Sequence, residues 1–116
     1  MKKLKTYFMT RGDTKVFQLK RKNLDGVITE LPDKMYFTFK DNFNQKDFHF
    51  QKTLEKGIIY DNTSNYYYIT IEPEDTNSLQ YGTYVFDIEI IDGKKVTTLV
   101  KAYLIIEEEV TFSINE

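Results

Sequence analysis

The sequence predicts an all-β sandwich of about seven strands, a single domain over residues 1–116. Three observations carry that expectation. The chain holds 9 Tyr and 9 Phe, and aromatic residues fit a pleated, half-buried surface. Short runs of alternating apolar and polar residues are separated by turn residues at the spacing of a sandwich or barrel. No stretch sustains a helical period. At 116 residues the chain has the size of one domain, and it buries enough surface for a core without metal or disulfide staples.

The elements follow in order. Leu4, Thr6 and Phe8 alternate with Lys5, Tyr7 and Met9. After Arg11-Gly12-Asp13, Phe17 and Leu19 alternate with Gln18 and Lys20. Asn23-Leu24-Asp25-Gly26 reads as a turn. Met35, Phe37 and Phe39 share a face opposite Tyr36, Thr38 and Lys40. Residues 41–65 are the least regular, with one or two short edge strands and mobile loops expected around Phe48–Phe50 and Gly57–Tyr60. Tyr67, Ile69 and Ile71 then share a face, until Pro73-Glu74-Asp75-Thr76 ends the strand because Pro lacks the ladder N–H. Tyr84, Phe86, Ile88 and Ile90 point inward, with Asp87 and Glu89 outward. Asp92-Gly93 signals a hairpin. The return strand, residues 94–106, is apolar on both faces through Val96, Leu99, Val100, Tyr103, Leu104 and Ile105. Its second side needs cover, from the run Val110–Ile114 or from a partner.

The most informative local pattern is Leu79-Gln80-Tyr81-Gly82-Thr83-Tyr84. In immunoglobulin-like sandwiches a Tyr at the start of the penultimate strand bonds back to the backbone a few residues upstream. Leu79 is expected to plug the core, Gly82 to let the chain turn close to the ring, and Tyr84 to close the corner. These three are structural residues rather than a reactive site.

Few residues offer chemistry. The absence of cysteine removes disulfides, thiol catalysis and Cys-based zinc sites. The single His49 has no Ser or carboxylate at a motif spacing and is expected to be exposed on an edge strand. Glu74-Asp75, Asp87 with Glu89, and Glu107-Glu108-Glu109 do not match a calcium loop. No catalytic, cofactor-binding or metal residues emerge. Arg11-Gly12-Asp13 spells the integrin-binding tripeptide, but it sits where a strand must begin. Lys15, Lys20, Arg21 and Lys22 make a basic stretch, and Tyr66-Tyr67-Tyr68 an aromatic one. An acidic pI of about 5.5 argues against a nucleic-acid partner. The lysines of residues 1–10 are not followed by the apolar run of a signal peptide, and no segment approaches a membrane span.

The net charge of −2 hides an asymmetry: residues 1–58 hold 13 Lys/Arg against 7 Asp/Glu, and residues 59–116 hold 3 against 11. The two halves are expected to face each other across the fold. Head-to-tail self-association is the sharper alternative.

With these landmarks placed, the chain resembles the immunoglobulin-like N-terminal domain of phage baseplate upper proteins, and small phage or prophage tail and virion proteins. Arg11-Gly12-Asp13-Thr14, Asp25-Gly26 and Phe37-Thr38-Phe39-Lys40 carry the first part of the likeness. Ile69-Thr70-Ile71, Pro73-Glu74-Asp75-Thr76, Leu79, Gly82, Tyr84, Asp87, Ile88, Asp92-Gly93 and Thr98-Leu99 continue it. It runs from about Arg11 to Phe112 and departs at Lys101-Ala102, where the family usually has a glycine. The resemblance implies a non-catalytic structural protein, a baseplate, tail or head accessory subunit, assembled in the bacterial cytoplasm and located in the virion. It would need no cofactor, and its partners would be other phage structural proteins, with self-association a further option. The other expectation is a carbohydrate- or ligand-binding module using Tyr66–Tyr68 or Tyr36.

Overall fold

A computed structural model describes residues 3–109. The chain forms β1 (Lys5–Thr10), β2 (Lys15–Leu19), β3 (Lys22–Asn23), β4 (Gly26–Val27), β5 (Lys34–Lys40), β6 (Phe50–Leu54), β7 (Gly57–Asp61) and β8 (Tyr66–Ile71). A helical turn α1 (Pro73–Thr76) follows, then β9 (Gly82–Asp92) and β10 (Lys95–Glu107). All-β character is as expected, but the sheet differs from a sandwich of about seven strands. Eight strands form one mixed sheet in the order β1-β10-β9-β5-β6-β7-β8-β2, and β3-β4 make a separate ribbon. The ribbon occupies the expected turn at Asn23–Gly26.

The sheet curls until its ends meet. Tyr7 of edge strand β1 and Phe17 of edge strand β2 touch edge to face at 5.1 Å. Phe17 also lies 5.0 Å from Phe86 of β9, and Phe86 stacks 4.8 Å from Phe37 of β5. Strands so far apart in the hydrogen-bonded order can share one ring cluster only if the sheet closes around it. The result is barrel-like, with Met35, Phe37, Phe39, Ile58, Ile69, Ile71, Leu104 and Ile106 buried inside. The inward sets predicted on β5, β8 and β9 are buried, and Thr38 and Val85 on the opposite face are buried too. On β1, Tyr7 and Met9 turn in and Phe8 turns out.

The irregular segment holds the main surprise. β6 and β7 lie inside the sheet, and the open edges belong to β1 and β2. Only two residue pairs, Thr53↔Gly57 and Leu54↔Ile58, join β6 to β7. They sit in a tight bend where Lys56 N–H bonds Thr53 O at 2.9 Å and Thr53 N–H bonds Lys56 O at 3.0 Å. Gly57 has φ +104 and carries no Cβ against Lys52, whose Cδ lies 2.5 Å from where one would be. A bend reads locally as a turn, which hides that the strands on either side are central.

The β9–β10 hairpin turns through Gly93-Lys94, one residue later than Asp92-Gly93 suggested, because Asp92 pairs with Lys95. A bulge between Thr98 and Val100 leaves Leu99 unpaired and flips the inward parity of β10. Leu99 and Val100 therefore both pack on the core, whereas Val96 and Tyr103 stay exposed on the outer face. The run Val110–Ile114, offered as cover for the second face, lies outside the described residues.

The charge halves interleave. Basic-half strands β1, β5 and β2 pair with acidic-half strands β10, β9 and β8. Lys52 Nζ meets Asp75 Oδ2 at 2.7 Å and Arg11 Nη2 meets Glu109 Oε1 at 3.1 Å, each pair crossing between halves.

Candidate functional site

The corner is built by α1 and the start of β9. Glu72 and Asp75 form a reciprocal capping box, with Asp75 Oδ2 accepting from Glu72 N–H at 2.7 Å. The same oxygen holds Lys52, tying the turn to β6. Leu79 N–H donates to Thr76 O at 2.9 Å and its side chain packs on the core. The Tyr84 hydroxyl donates to Gln80 O at 2.7 Å. Burial raises the Tyr84 phenol above its ordinary range, the charge of Asp41 adds to this, and the bond to Gln80 opposes it. Gly82 differs from expectation: a Cβ there would meet nothing within 4 Å, so close approach to the ring is not its role. Its φ of +146 is what calls for glycine there, since side chains disfavour that region.

Arg11 completes the corner from the other end of the chain. Its Nη1 donates to Leu79 O at 3.1 Å, its guanidinium lies 4.2 Å over the Tyr81 ring, and Glu109 takes Nη2. Gly12 N–H donates to Thr76 Oγ1 at 2.9 Å. The arginine of the Arg-Gly-Asp triplet is thus committed to closing the fold. Sequence spacing gave no sign of this bond, which spans 68 residues.

The single histidine has a carboxylate partner that linear spacing hid. His49 Nε2 lies 2.7 Å from Asp41 Oδ1, and its ring meets Tyr84 edge-on at 5.4 Å. It precedes β6 rather than lying on an edge strand, and its N–H bonds Phe39 O at 2.8 Å. No hydroxyl bonds to the His49 ring among the described residues, so the pair lacks the nucleophile of a hydrolytic triad. Among the described residues no three His, Cys, Asp or Glu side chains converge on a metal position, and no helix is long and apolar enough to cross a membrane.

The outer face of β1, β10, β9 and β5 carries the exposed groups. Phe8 stands beside Ile105, and Thr6 beside Tyr103; Phe8 is 52% exposed, Tyr103 37% and Val96 58%. Phe43, from the loop after β5, packs edge-on to Tyr103 at 6.0 Å, with Lys101 Nζ 5.1 Å above its ring. Asp87 pairs in register with both Lys101 and Thr38. Burial raises its carboxyl above the ordinary range, and the charges of Lys40 and Lys101 pull it back. On the opposite side of the barrel, Tyr66 and Tyr68 lie 6.0 Å apart on the outside of β8, while Tyr67 is fully buried. Tyr36 is half-buried on the outward face of β5.

No protein-family model matches the chain, and no curated protein is similar to it. Among solved structures it is similar to the NK cell receptor Nkp44, described as a triggering partner in natural cytotoxicity. The two share 15% identity with a TM-score of 0.58, covering 91% of this chain and 100% of that one. At that identity the likeness is one of fold: an immunoglobulin-like β architecture.

Proposed function

We propose that this chain is a structural subunit of a phage or prophage particle, a baseplate, tail or head accessory protein that docks onto other structural proteins and catalyses nothing. The observation that carries the docking mode is the outer face of β1 and β10. Phe8, Ile105 and Tyr103 are neighbours there, and Phe8 and Tyr103 are exposed. Apolar side chains gathered on one sheet face mark an interaction surface more often than a solvated one. The sequence resemblance running from Arg11 to Phe112 supports the particle, with assembly in the bacterial cytoplasm. The immunoglobulin-like neighbour, a receptor domain, favours binding over catalysis. In this reading the curled sheet works as a two-layer sandwich, β1-β10-β9-β5-β6 against β7-β8-β2, split at the two-pair bridge between β6 and β7.

Mass spectrometry of purified virions or induced prophage particles is expected to find the chain; its absence from intact particles sinks the assignment. Phe8→Asp with Tyr103→Asp should leave the fold intact and abolish incorporation into particles. The second reading, a carbohydrate-binding module, draws on the paired rings of Tyr66 and Tyr68. An array of cell-wall glycans separates the two.

A further inference from the structure

We propose that the cavity between the β2–β4 segment and the β9–β10 hairpin binds a small organic anion, a carboxylate or phosphate group carried on a ring-sized, partly apolar body. The cavity measures about 310 Å³, the lower end of the range of small-molecule sites. Four cations line it: Lys20, Arg21 and Lys22 from the chain leaving β2, and Lys95 from the start of β10. Leu19, Ile28, Ile90 and Leu99 supply its apolar wall. One carboxylate, Asp92, also lines it, and its Oδ1 accepts a bond from Asp33 N–H at 3.2 Å. None of the four cations is in an ion pair among the described residues.

Arg21 is the best placed of the four. Its one side-chain hydrogen bond within distance and angle limits, from Nη1 to Glu30 O, is long at 3.4 Å, so most of its five donors remain for an oxyanion. A planar guanidinium offers a carboxylate or phosphate two parallel bonds. Near it is the Tyr67 hydroxyl, fully buried with no partner at hydrogen-bonding distance and angle. Burial raises the Tyr67 phenol, and the Arg21 side chain, by hydrogen bonding and by charge, pulls it back. Lys20 is partly occupied, its Nζ lying 4.3 Å over the Tyr66 ring, while Lys22 and Lys95 are exposed on the rim. In a chain of net charge −2, four cations around one apolar-walled hollow select an anion that is small enough to enter. A long polyanion would meet the acidic remainder of the surface. The site lies away from the Phe8–Tyr103 surface, so it stands or falls independently of the docking reading.

The test is a titration of the labelled protein followed by amide NMR at low ionic strength. The probes are glucuronate, glucose 6-phosphate, glucose and inorganic phosphate. Saturable shifts confined to residues 19–22, 28 and 90–99 are expected with glucuronate or glucose 6-phosphate, and the stronger of the two identifies the anionic group. Arg21→Gln with Lys95→Gln should weaken that binding at least tenfold, with the remaining amides unmoved. Lys95→Glu alone, at an exposed hairpin position, gives the same reading should the double variant fail to fold. The proposal is overturned if neither acidic sugar saturates the site, if glucose shifts the same amides equally, or if the variants bind as tightly as the parent. Inorganic phosphate binding as tightly as the ring-bearing probes also overturns it, because the hollow would then be a bare counter-ion site.

Discussion

Two buried tyrosines put opposite demands on their hydroxyls. Tyr84 donates to the Gln80 carbonyl at 2.7 Å, so Tyr84→Phe leaves a corner carbonyl without its partner and should cost about 1–3 kcal/mol in urea denaturation. The Tyr67 hydroxyl is buried with no partner, so Tyr67→Phe should be neutral or stabilising in the same measurement. Burial raises both phenols above their ordinary range. A raised pKa in the folded state means the unfolded chain gives up its protons first. Stability is therefore full below about pH 10 and declines as the pH rises from there through the folded-state values. Tyr67→Phe should flatten that alkaline decline; a decline of unchanged size in this variant would assign it to other groups.

At the level of elements, the molecule depends on one bend and one turn. Asp75 caps α1 through Glu72 N–H and holds Lys52 of β6, both side chains being only 14% exposed. Asp75→Ala removes the cap and strands a mostly buried ammonium, so a loss of roughly 2–4 kcal/mol is expected by chemical denaturation. Gly57 and Gly82 both have positive φ, but their surroundings differ. Gly82→Ala meets open space and should cost roughly 1–2 kcal/mol for its backbone alone. Gly57→Ala also drives a Cβ into Lys52, within 2.9 Å of its Cβ, and disturbs the ion pair, so it should cost clearly more. Equal losses for the two glycines would show that the β6–β7 bend yields without effect on Lys52.

On the scale of the whole molecule, closure of the sheet rests on rings rather than on a ladder. Phe86 sits between Phe17 and Phe37, 5.0 and 4.8 Å away, where immunoglobulin domains often place a disulfide against a tryptophan. A chain without cysteine uses three phenyl rings there. Phe86→Ala should cost about 3–5 kcal/mol by thermal or urea unfolding. Phe17→Ala, at a half-buried edge position, should cost less while loosening β1 from β2, which faster amide exchange in both strands would report.

The sequence by itself determined most of the strand runs, though not β6, and which side chains turn inward on β5, β8 and β9. It also located the long hairpin to within one residue. Those features follow from alternation with period two and from turn residues, which act over a few positions. Tertiary structure decided that β6 and β7 are central, that a bulge at Leu99 brings both Leu99 and Val100 onto the core, and that Arg11 closes the corner. It also brought Asp41 to His49 and gathered the basic stretch around a hollow facing Lys95. Each of these depends on groups that meet only when the chain folds: Arg11 reaches Leu79 across 68 residues and Glu109 across 98. Contacts of that separation leave no periodic mark, because neither partner's immediate neighbours need to change to make them.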